Sequence, residues 1–350
     1  MPEKFEIKSG LRNYEVCWVK DCVAAIGDQR SSRSFLVIDE DLPTSGKISK
    51  LFSKDRVIRL KADEKTKTFD SCSELIRQLV DRNVRRNEII FAVGGGVIED
   101  VVAFVSTVLF RGVEWVFIPT TLLAQADSCI GSKSSINFGV YKNLLGAFYP
   151  PSKVLIAPNF LNTLPADELR SGMGEILHFY LVAGEVKMAS QLKKQHRELL
   201  KDPSGFKPYI LASLKIKKSV IQRDEFDKGE RNLFNYGHTF GHAIESVTNY
   251  RINHGQAVTM GMDIANFISW RRGHIKEEVF NYLHGLIAFN LPEFRLDPKN
   301  WAKYLQALSK DKKNVGKSLG CILTRRPGKM FKAQLPLDQR LGKDILSYFD

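Results

Sequence analysis

Cysteine and long apolar runs are both scarce in this sequence. It has five cysteines among 350 residues, an odd number, and no two of them have Cys-x-x-Cys spacing. We therefore expect neither a disulfide framework nor a thiolate zinc site, and we expect a cytoplasmic location. The longest uncharged apolar run of the central region is 101–110, well short of the roughly 20 residues that a membrane-spanning helix needs. Residues 1–10 have no apolar core, so no secretory signal is expected.

Positive charge exceeds negative charge but is not concentrated in one segment. The chain has 52 Lys and Arg against 39 Asp and Glu, a net charge of +13. The basic residues form short clusters at 193–194, 215–218 and 310–313. Charge alone leaves a nucleic-acid binder open as an alternative, but no helix-turn-helix or RNP-like segment supports it. We expect solvated helix faces and an anion-binding cleft, with no nucleic-acid or membrane partner.

Apolar strands alternate with helical segments in the first half of the chain. The strand candidates are 35–39, 56–60, 88–93, 112–119 and 154–157, and helical spacing occurs at 73–81 and 97–109. Such alternation predicts an open parallel sheet with helices on both faces. This part, residues 1–165, is the predicted α/β domain that binds a nucleotide.

Helical periodicity dominates after Pro165. It covers 166–218, 231–245, 256–271 and 277–289, and a strand signal returns only at 320–324. We therefore predict a second, mainly helical domain over 166–350 that binds metal and substrate. A cleft between two such domains is the usual place for a ligand.

A triple glycine, Gly94-Gly95-Gly96, lies between a predicted strand and a predicted helix. Glycines let backbone N–H groups approach a phosphate, and a helix N-terminus favours an anion. Glu99 occupies the place of the third glycine of GxGxxG, and the P-loop pattern does not match either. The turn by itself fits a phosphate site or a ligand-free tight turn. Asp39, at the end of a strand, is a candidate ribose ligand or a helix cap.

Histidines and a glutamate form a candidate metal site. His238 and His242 are four residues apart and share a helix face, His254 begins the next helical segment, and Glu175 lies in the helical segment 172–178. Two imidazoles and a carboxylate are a common zinc set with an open coordination position. The spacing differs from HExxH, and a hydrogen-bonded helix interface is the alternative.

Basic and amide side chains form a candidate anion-binding set. Lys133 follows Asp127 by six residues, Lys142 precedes Asn143, and Lys217 and Arg231 lie further along the chain. Lysine and arginine with asparagine can hold a phosphate and a carboxylate at separate points. Each of these cations, taken alone, also fits an ordinary surface charge.

Taken together, the motifs resemble those of the sugar phosphate cyclases, most closely the 3-dehydroquinate synthase branch. The matching segments, over about residues 35–325, are Glu64-x-x-Lys67, GGGVIED (94–100), IPTTLLAQAD (118–127), SGMGEILH (171–178), RNLFNYGHTFGHAIE (231–245) and INHGQAV (252–258). The resemblance implies a dehydroquinate synthase-like fold, a recycled NAD, one divalent ion (Zn²⁺ or Co²⁺) and a homodimer.

The resemblance also implies roles for individual residues. It assigns the metal to Glu175, His238 and His254. It assigns the nucleotide to Asp39, Glu64, Lys67, Gly94, Gly95, Gly96, Val97, Asp100, Thr120, Thr121, Asp127 and Thr163. It assigns catalysis to Lys133, Lys217, Arg231, Asn235 and His242. It assigns further substrate contacts to Arg111 (across the dimer interface), Asp127, Lys142, Asn143, His178 and Lys312.

The implied reaction converts a phosphorylated seven-carbon 2-keto sugar acid into a carbocycle. NAD takes a hydride from a secondary alcohol whose oxygen the metal polarises, phosphate is eliminated, the hydride returns, and an intramolecular aldol step closes the ring. His242 and Asn235 are expected to position the phosphate, and Lys217 and Arg231 to hold the carboxylate.

The sequence departs from the family pattern mainly on the substrate side. His178 stands in place of a lysine, Ser132, Tyr141 and Glu99 in place of glycines, and Gln256 in place of a glutamate. These changes leave open a diverged cyclase acting on sedoheptulose 7-phosphate or glucose 6-phosphate. A metal-dependent dehydrogenase of the glycerol dehydrogenase type is a further alternative, which would release NADH in net turnover. A paralogue that binds NAD without turnover is also compatible with these changes.

Overall fold

The computed structural model describes residues 4–139, 141–309, 314 and 318–349, and within them the chain divides into two compact units. The first unit comprises Met1–Leu164, Pro203–Lys207 and Lys217–Phe226. The second comprises Pro165–Asp202, Pro208–Ile216 and Asp227–Asp350. Lys217 therefore belongs with the first unit, although the residues directly before it, Pro208–Ile216, belong with the second.

A seven-stranded sheet organises the first unit. The elements are β1 (Lys4–Ile7), β2 (Tyr14–Trp18), α1 (Cys22–Gln29), β3 (Phe35–Asp39), α2 (Ser45–Ser49), β4 (Val57–Leu60), α3 (Phe69–Asp81), β5 (Ile89–Gly94), α4 (Gly96–Val108), β6 (Glu114–Pro119), β7 (Lys133–Phe138), β8 (Tyr141–Phe148) and β9 (Lys153–Ile156). The strand order is β1-β2-β9-β6-β5-β3-β4, and only the β1–β2 pair is antiparallel. The predicted parallel sheet is confirmed, and its central strands are continuously apolar because helices cover both faces.

Residues 133–148 form the hairpin β7–β8, which the sequence pattern did not predict. Its strands are rich in polar and half-buried residues, so they lack the continuous apolar run of the central strands. The hairpin is attached to the segment before α3, where Asn137 N donates to the Lys67 carbonyl over 2.8 Å. This attachment brings the hairpin side chains close to Lys67.

The second unit is mainly helical, as predicted. Its elements are α5 (Ala166–Ala183), α6 (Val186–Lys201), α8 (His238–Val247), α9 (His254–Arg271), α10 (Glu277–Ile287), α11 (Trp301–Ser309), β10 (Ser318–Arg326), β11 (Lys329–Pro336) and α12 (Gln339–Phe349). Helix α7 (Lys207–Ile221) divides between the two units. The predicted strand at 320–324 is part of the β10–β11 hairpin.

Glycines allow α5, α8 and α9 to pack backbone against backbone. A Cβ at Gly174 in α5 would lie 2.0 Å from the carbonyl oxygen of Gly255 in α9. A Cβ at Gly261 in α9 would lie 2.0 Å from the carbonyl oxygen of Gly237, the residue before α8. Gly237 also has φ +82°, a conformation that favours glycine. No larger residue fits at these crossings without moving a helix.

Helices α5 and α9 are the longest in the described part of the chain, with 18 residues each. Both bury polar side chains, among them Glu175, Asp263 and Asn266. Within the described residues, none of the helices combines the length and the hydropathy that a membrane span requires.

Candidate active site

The middle of α5 and the first residues of α8 and α9 bring Glu175, His238 and His254 together in the second unit. Glu175 follows the glycine of α5 at the close crossing, while His238 and His254 are the first residues of α8 and α9. One ligand atom from each of the three lies within 4.8 Å of the others. The structure thus places the predicted metal-ligating residues in one cluster.

The distances in this cluster fit a divalent metal ion. His254 Nε2 lies 3.3 Å and His238 Nε2 3.7 Å from Glu175 Oε1. Ligand atoms about 2.0–2.2 Å from a tetrahedral ion are about 3.3–3.6 Å apart. Glu175 Oε1 is buried, and no described residue makes a hydrogen bond of good geometry to it. A buried carboxylate oxygen between two imidazoles is a donor set that suits Zn²⁺ or Co²⁺.

The second nitrogen of each imidazole faces an acceptor outside the cluster. His254 Nδ1 lies 3.2 Å from Glu245 Oε2, and His238 Nδ1 lies 3.3 Å from the Tyr236 carbonyl oxygen. Histidines that bind metals commonly donate their other N–H to a carboxylate or carbonyl, which fixes the ring orientation. The sequence reasoning did not identify Glu245, although it lies seven residues after His238 on the same helix face.

Charges of opposite sign control protonation in this cluster. Burial raises the pKa of Glu175, but the electrostatic interactions with His238, and then with His254 and His178, outweigh burial and hold that pKa well below its usual range. Burial lowers the pKa of His254, whereas Glu245 and Glu175 raise it, to about 10. Glu175 is therefore held in the ionised form that binds a cation, and a cation would compete with the proton on His254.

Two further histidines, His178 and His242, border the same cluster. His178 is buried, and its Nδ1 lies 3.6 Å from Glu175 Oε2. Aromatic rings surround it, with centroid distances of 5.1 Å to Phe179 and 6.0 Å to Phe234. His242 stacks on His254 at 5.6 Å between ring centroids. His178 is therefore a neighbour of the candidate ligand carboxylate, in a largely apolar environment.

Arg231 and Asn235 lie in a 3-10 helix, Glu230–Asn235, directly before α8. Arg231 is buried, although a guanidinium is always charged. Asn235 Nδ2 donates to the Asn232 carbonyl over 3.0 Å. A buried guanidinium with five donors is well suited to a carboxylate or phosphate.

In the first unit, the triple glycine joins β5 to α4. A Cβ at Gly94 would lie 2.4 Å from Ile98, and one at Gly95 would lie 2.9 Å from Thr121. A Cβ at Gly96 would have ordinary contacts, the nearest being Ser128 Oγ at 3.9 Å. Packing within the chain therefore accounts for the first two glycines, whereas Gly96 leaves space at the helix N-terminus where a phosphate can be bound.

Lys67, Asp100 and Asn143 form a polar cluster beside this turn. Lys67 Nζ lies 2.6 Å from Asp100 Oδ2 and donates to Asn143 Oδ1 over 2.8 Å. Asp100 Oδ1 also accepts from Ser135 N over 2.7 Å. Burial raises the pKa of Asp100, against the opposing effect of Lys67. The structure thus joins two predicted nucleotide ligands to a predicted substrate ligand.

Glu64 and Lys142 lie at the edge of this cluster. Glu64 Oε1 accepts from Asn137 Nδ2 over 3.0 Å and lies 3.8 Å from Lys142 Nζ. Asn137 and Ser135 were not identified from the sequence, because the hairpin that carries them was not predicted.

Asp127 and Lys217 form a second pair. Lys217 Nζ donates to Asp127 Oδ1 over 2.7 Å and to the Asp127 carbonyl oxygen over 2.8 Å.

Lys133 is the first residue of β7. Ser132, directly before it, has φ +64°, and its Oγ donates to Glu225 Oε1 over 3.0 Å. Glu225 was not identified from the sequence, because it is remote from Ser132 along the chain.

Other predicted residues remain outside these clusters in the described part of the chain. Asp39 Oδ1 accepts from Asp41 N, Thr163 Oγ1 donates to the Phe160 carbonyl, and Arg111 lies exposed in a 3-10 turn. Val97 lies in α4, Thr120 and Thr121 follow β6, and Lys312 lies outside the described residues.

Comparison with known proteins gives consistent matches along the chain. Residues 57–171 match the family model described as 3-dehydroquinate synthase N-terminal, and residues 172–314 match 3-dehydroquinate synthase C-terminal. The 3-dehydroquinate synthase of Clostridium tetani is 36% identical over 298 residues, which is 81% of this chain and 77% of that protein.

Two solved structures share the whole fold. A 2-deoxy-scyllo-inosose synthase complexed with carbaglucose-6-phosphate, NAD⁺ and Co²⁺ has a TM-score of 0.86 at 23% identity, covering 99% of this chain and 100% of that one. The 2-epi-5-epi-valiolone synthase of Streptomyces hygroscopicus subsp. jinggangensis, with NAD⁺ and Zn²⁺ bound, has a TM-score of 0.85 at 26% identity, covering 97% of this chain and 98% of that one. The predicted dehydroquinate synthase-like fold is confirmed.

These matches agree with the order of the sequence motifs and with the clusters that the fold builds from them. The family models and the curated relative place the chain among the sugar phosphate cyclases. The chain belongs to the 3-dehydroquinate synthase family of sugar phosphate cyclases, which are carbon–oxygen lyases that eliminate phosphate.

Proposed function

We propose that the protein is a 3-dehydroquinate synthase, which converts a phosphorylated seven-carbon 2-keto sugar acid into a carbocycle with loss of phosphate. The observation that carries the proposal is the cluster of Glu175, His238 and His254, whose imidazoles are oriented by Glu245 and by a backbone carbonyl. Such a set binds one divalent ion and leaves a coordination position for a substrate oxygen.

NAD and a divalent ion, Zn²⁺ or Co²⁺, are the proposed cofactors. Glu175, His238 and His254 would hold the ion, and the turn ending at Gly96, with Lys67 nearby, would hold the nucleotide. When bound, NAD would supply a transient hydride acceptor for a secondary alcohol of the substrate, and the ion would supply a Lewis acid for the oxygen of that alcohol. Two related structures with NAD⁺ and either Co²⁺ or Zn²⁺ bound support this choice.

The roles of the chain's own residues follow from charge and position. We assign the substrate carboxylate to two buried cations. They are Arg231, which belongs to the second unit, and Lys217, which belongs to the first. Asn235 and His242 position the phosphate in the second unit, and Lys133 contributes a cation in the first. Since the phosphate leaves as a dianion that can itself accept the proton, these residues mainly orient the substrate and stabilise charge.

We also propose a homodimer, in which Arg111 contributes to the partner's site. Val108 and Phe110, close to Arg111, are 48% and 41% exposed, and a partner chain would bury them. Sedimentation equilibrium tests this proposal, since a concentration-independent monomer would contradict it.

A second candidate substrate class is favoured by one observation. His178 replaces the lysine of the family pattern, and it is buried among aromatic rings rather than extended toward solvent. A shorter side chain that can be neutral near pH 7 would contact a hydroxyl differently from a lysine. This change is compatible with a substrate without a carboxylate, such as sedoheptulose 7-phosphate or glucose 6-phosphate.

A phosphate-release assay over three substrates distinguishes these candidates. With NAD⁺ and Zn²⁺ present, we expect turnover of the seven-carbon 2-keto acid phosphate and little release from sedoheptulose 7-phosphate or glucose 6-phosphate. Arg231→Lys removes the bidentate fork and is expected to lower kcat/KM for the keto acid about 100-fold. Robust turnover of a neutral sugar phosphate, with none of the keto acid, would overturn the proposed substrate.

A further inference from the structure

Glu99 is a buried carboxyl group that the proposed reaction does not use. It lies in the first turn of α4, three residues after Gly96, and only 6% of it is exposed. Its Oε2 is hydrogen-bonded to Ser128 Oγ. The family pattern has a glycine at this position, so the carboxyl group is a feature of this chain that requires its own explanation.

The neighbouring cations are already paired with other carboxylates. Lys67 lies 2.6 Å from Asp100, and Lys217 lies 2.7 Å from Asp127. The ionisable groups that act on Glu99 are Asp100, Asp127, Lys217 and the thiol of Cys129. An ionised Glu99 would thus be a buried carboxylate without a cation of its own, beside two paired and partly exposed ones, which is unfavourable.

Burial therefore favours the protonated form of Glu99. It raises the pKa of Glu99 to about 8, while the hydrogen bond with Ser128 and the charge of Lys217 oppose this and Asp100 and Asp127 reinforce it. The carboxyl group is mainly neutral at pH 7 and loses its proton over a range just above that.

Ser128 and the backbone of α4 connect Glu99 to the triple-glycine turn. Ser128 Oγ lies 3.9 Å from the position that a Cβ of Gly96 would occupy, and Glu99 N donates to the Gly95 carbonyl over 3.1 Å. A diphosphate at this turn would place two negative charges within about one helical turn of the carboxyl group. The two negative groups would then compete for the same helix N-terminus.

We propose that Glu99 links dinucleotide binding to a proton: the diphosphate binds at the triple-glycine turn while Glu99 is protonated, and release of that proton to water weakens binding. By linkage, a bound dinucleotide in turn holds the proton on Glu99 more tightly. The inference rests on the proposed use of NAD, and it adds a cofactor-binding determinant that the family's glycine cannot provide.

Calorimetric titration with NAD⁺ from about pH 7 to about pH 9.5 tests the inference. If only the protonated form binds well, the wild-type Kd rises up to about tenfold per pH unit above about pH 8, or about 30-fold in all. Glu99→Gln is neutral at every pH and should keep its Kd constant within about twofold. Glu114→Gln, at an exposed glutamate in the same unit, should retain the wild-type slope.

Glu99→Gly, which carries the residue of the family pattern, is the second variant in case Glu99→Gln does not fold. It should also have a Kd independent of pH, and thermal unfolding reports whether each variant is folded. A slope in the folded variants equal to that of the wild type would overturn the inference, as would a wild-type Kd independent of pH. If no protein binds NAD⁺ at any pH, the proposed function itself fails.

Discussion

The carboxylate of Glu175 has two different environments. Its Oε1 faces the imidazoles of His238 and His254, while its Oε2 faces His178. The pair His238 and His242 could be recognised in the sequence, because a spacing of four residues places two side chains on one helix face. The carbonyl of Tyr236 could not, since every residue has a carbonyl oxygen and only the fold decides which one meets an imidazole.

Glu245 should determine how tightly the ion is held. Glu245→Gln removes the charged acceptor of His254 Nδ1, so we expect the affinity for Zn²⁺ to fall by about 10- to 100-fold. Competition with a chromogenic chelator measures this affinity. Glu198→Gln, at an exposed glutamate of α6, is the matched control and should keep the wild-type value. An affinity of the Glu245 variant within twofold of the wild type would contradict the role of Glu245.

At the scale of elements, the glycine crossings of α5, α8 and α9 explain why residues far apart in sequence form one cluster. The helical character of these segments could be predicted from periodicity. The crossings could not, because a glycine in a helical segment does not by itself indicate a close helix contact.

The hairpin β7–β8 was not predicted, for a different reason. Its strands contain polar residues, Asn137 and Ser135, whose partners, Lys67 and Asp100, lie outside the hairpin.

Replacing Gly174 should separate α5 from α9. An added methyl group would lie 2.0 Å from a backbone oxygen of Gly255, so Gly174→Ala is expected to destabilise the protein by about 3 kcal/mol or more. Gly285→Ala in α10 is the matched control, because no atom lies within 4 Å of the added group. It should be neutral or stabilising by about 0.5–1 kcal/mol. Urea unfolding compares the two, and equal stabilities would contradict the packing argument.

A pH-dependent contact joins α10 to α9. The hydrogen bond between His284 Nδ1 and Asp263 Oδ2, at 2.7 Å, raises the pKa of His284, against burial and Lys193, which lower it. Tyr348 donates to the same oxygen of Asp263. Since the folded-state pKa is raised, the stabilisation is fully present below the unfolded value of about 6.5 and is lost as pH rises through the folded value.

His284→Asn should remove this pH dependence while leaving a hydrogen-bond donor in place. The stability difference between wild type and variant is expected to be largest near pH 6 and to shrink toward pH 9. Its pH-dependent part should be about 1 kcal/mol or less, because 44% of the His284 side chain is exposed. Thermal unfolding at both pH values measures it, and a difference that grows with pH would contradict the assigned sign.

At the scale of the whole molecule, the sequence motifs predicted the family and the two kinds of architecture, because those motifs are local and occur in a fixed order. They could not predict that the segment carrying Lys217 belongs with the first unit, since this depends on long-range packing. The net charge of +13 would suit the anionic substrate and dinucleotide that we propose for this protein.

The central claim is that the protein eliminates phosphate while using NAD⁺ without consuming it. The most direct test measures inorganic phosphate and NADH in one reaction with the seven-carbon 2-keto acid phosphate, Zn²⁺ and substoichiometric NAD⁺. We expect one phosphate released per substrate consumed, many turnovers per NAD⁺ and no net accumulation of NADH. Stoichiometric formation of NADH without release of phosphate would contradict the account.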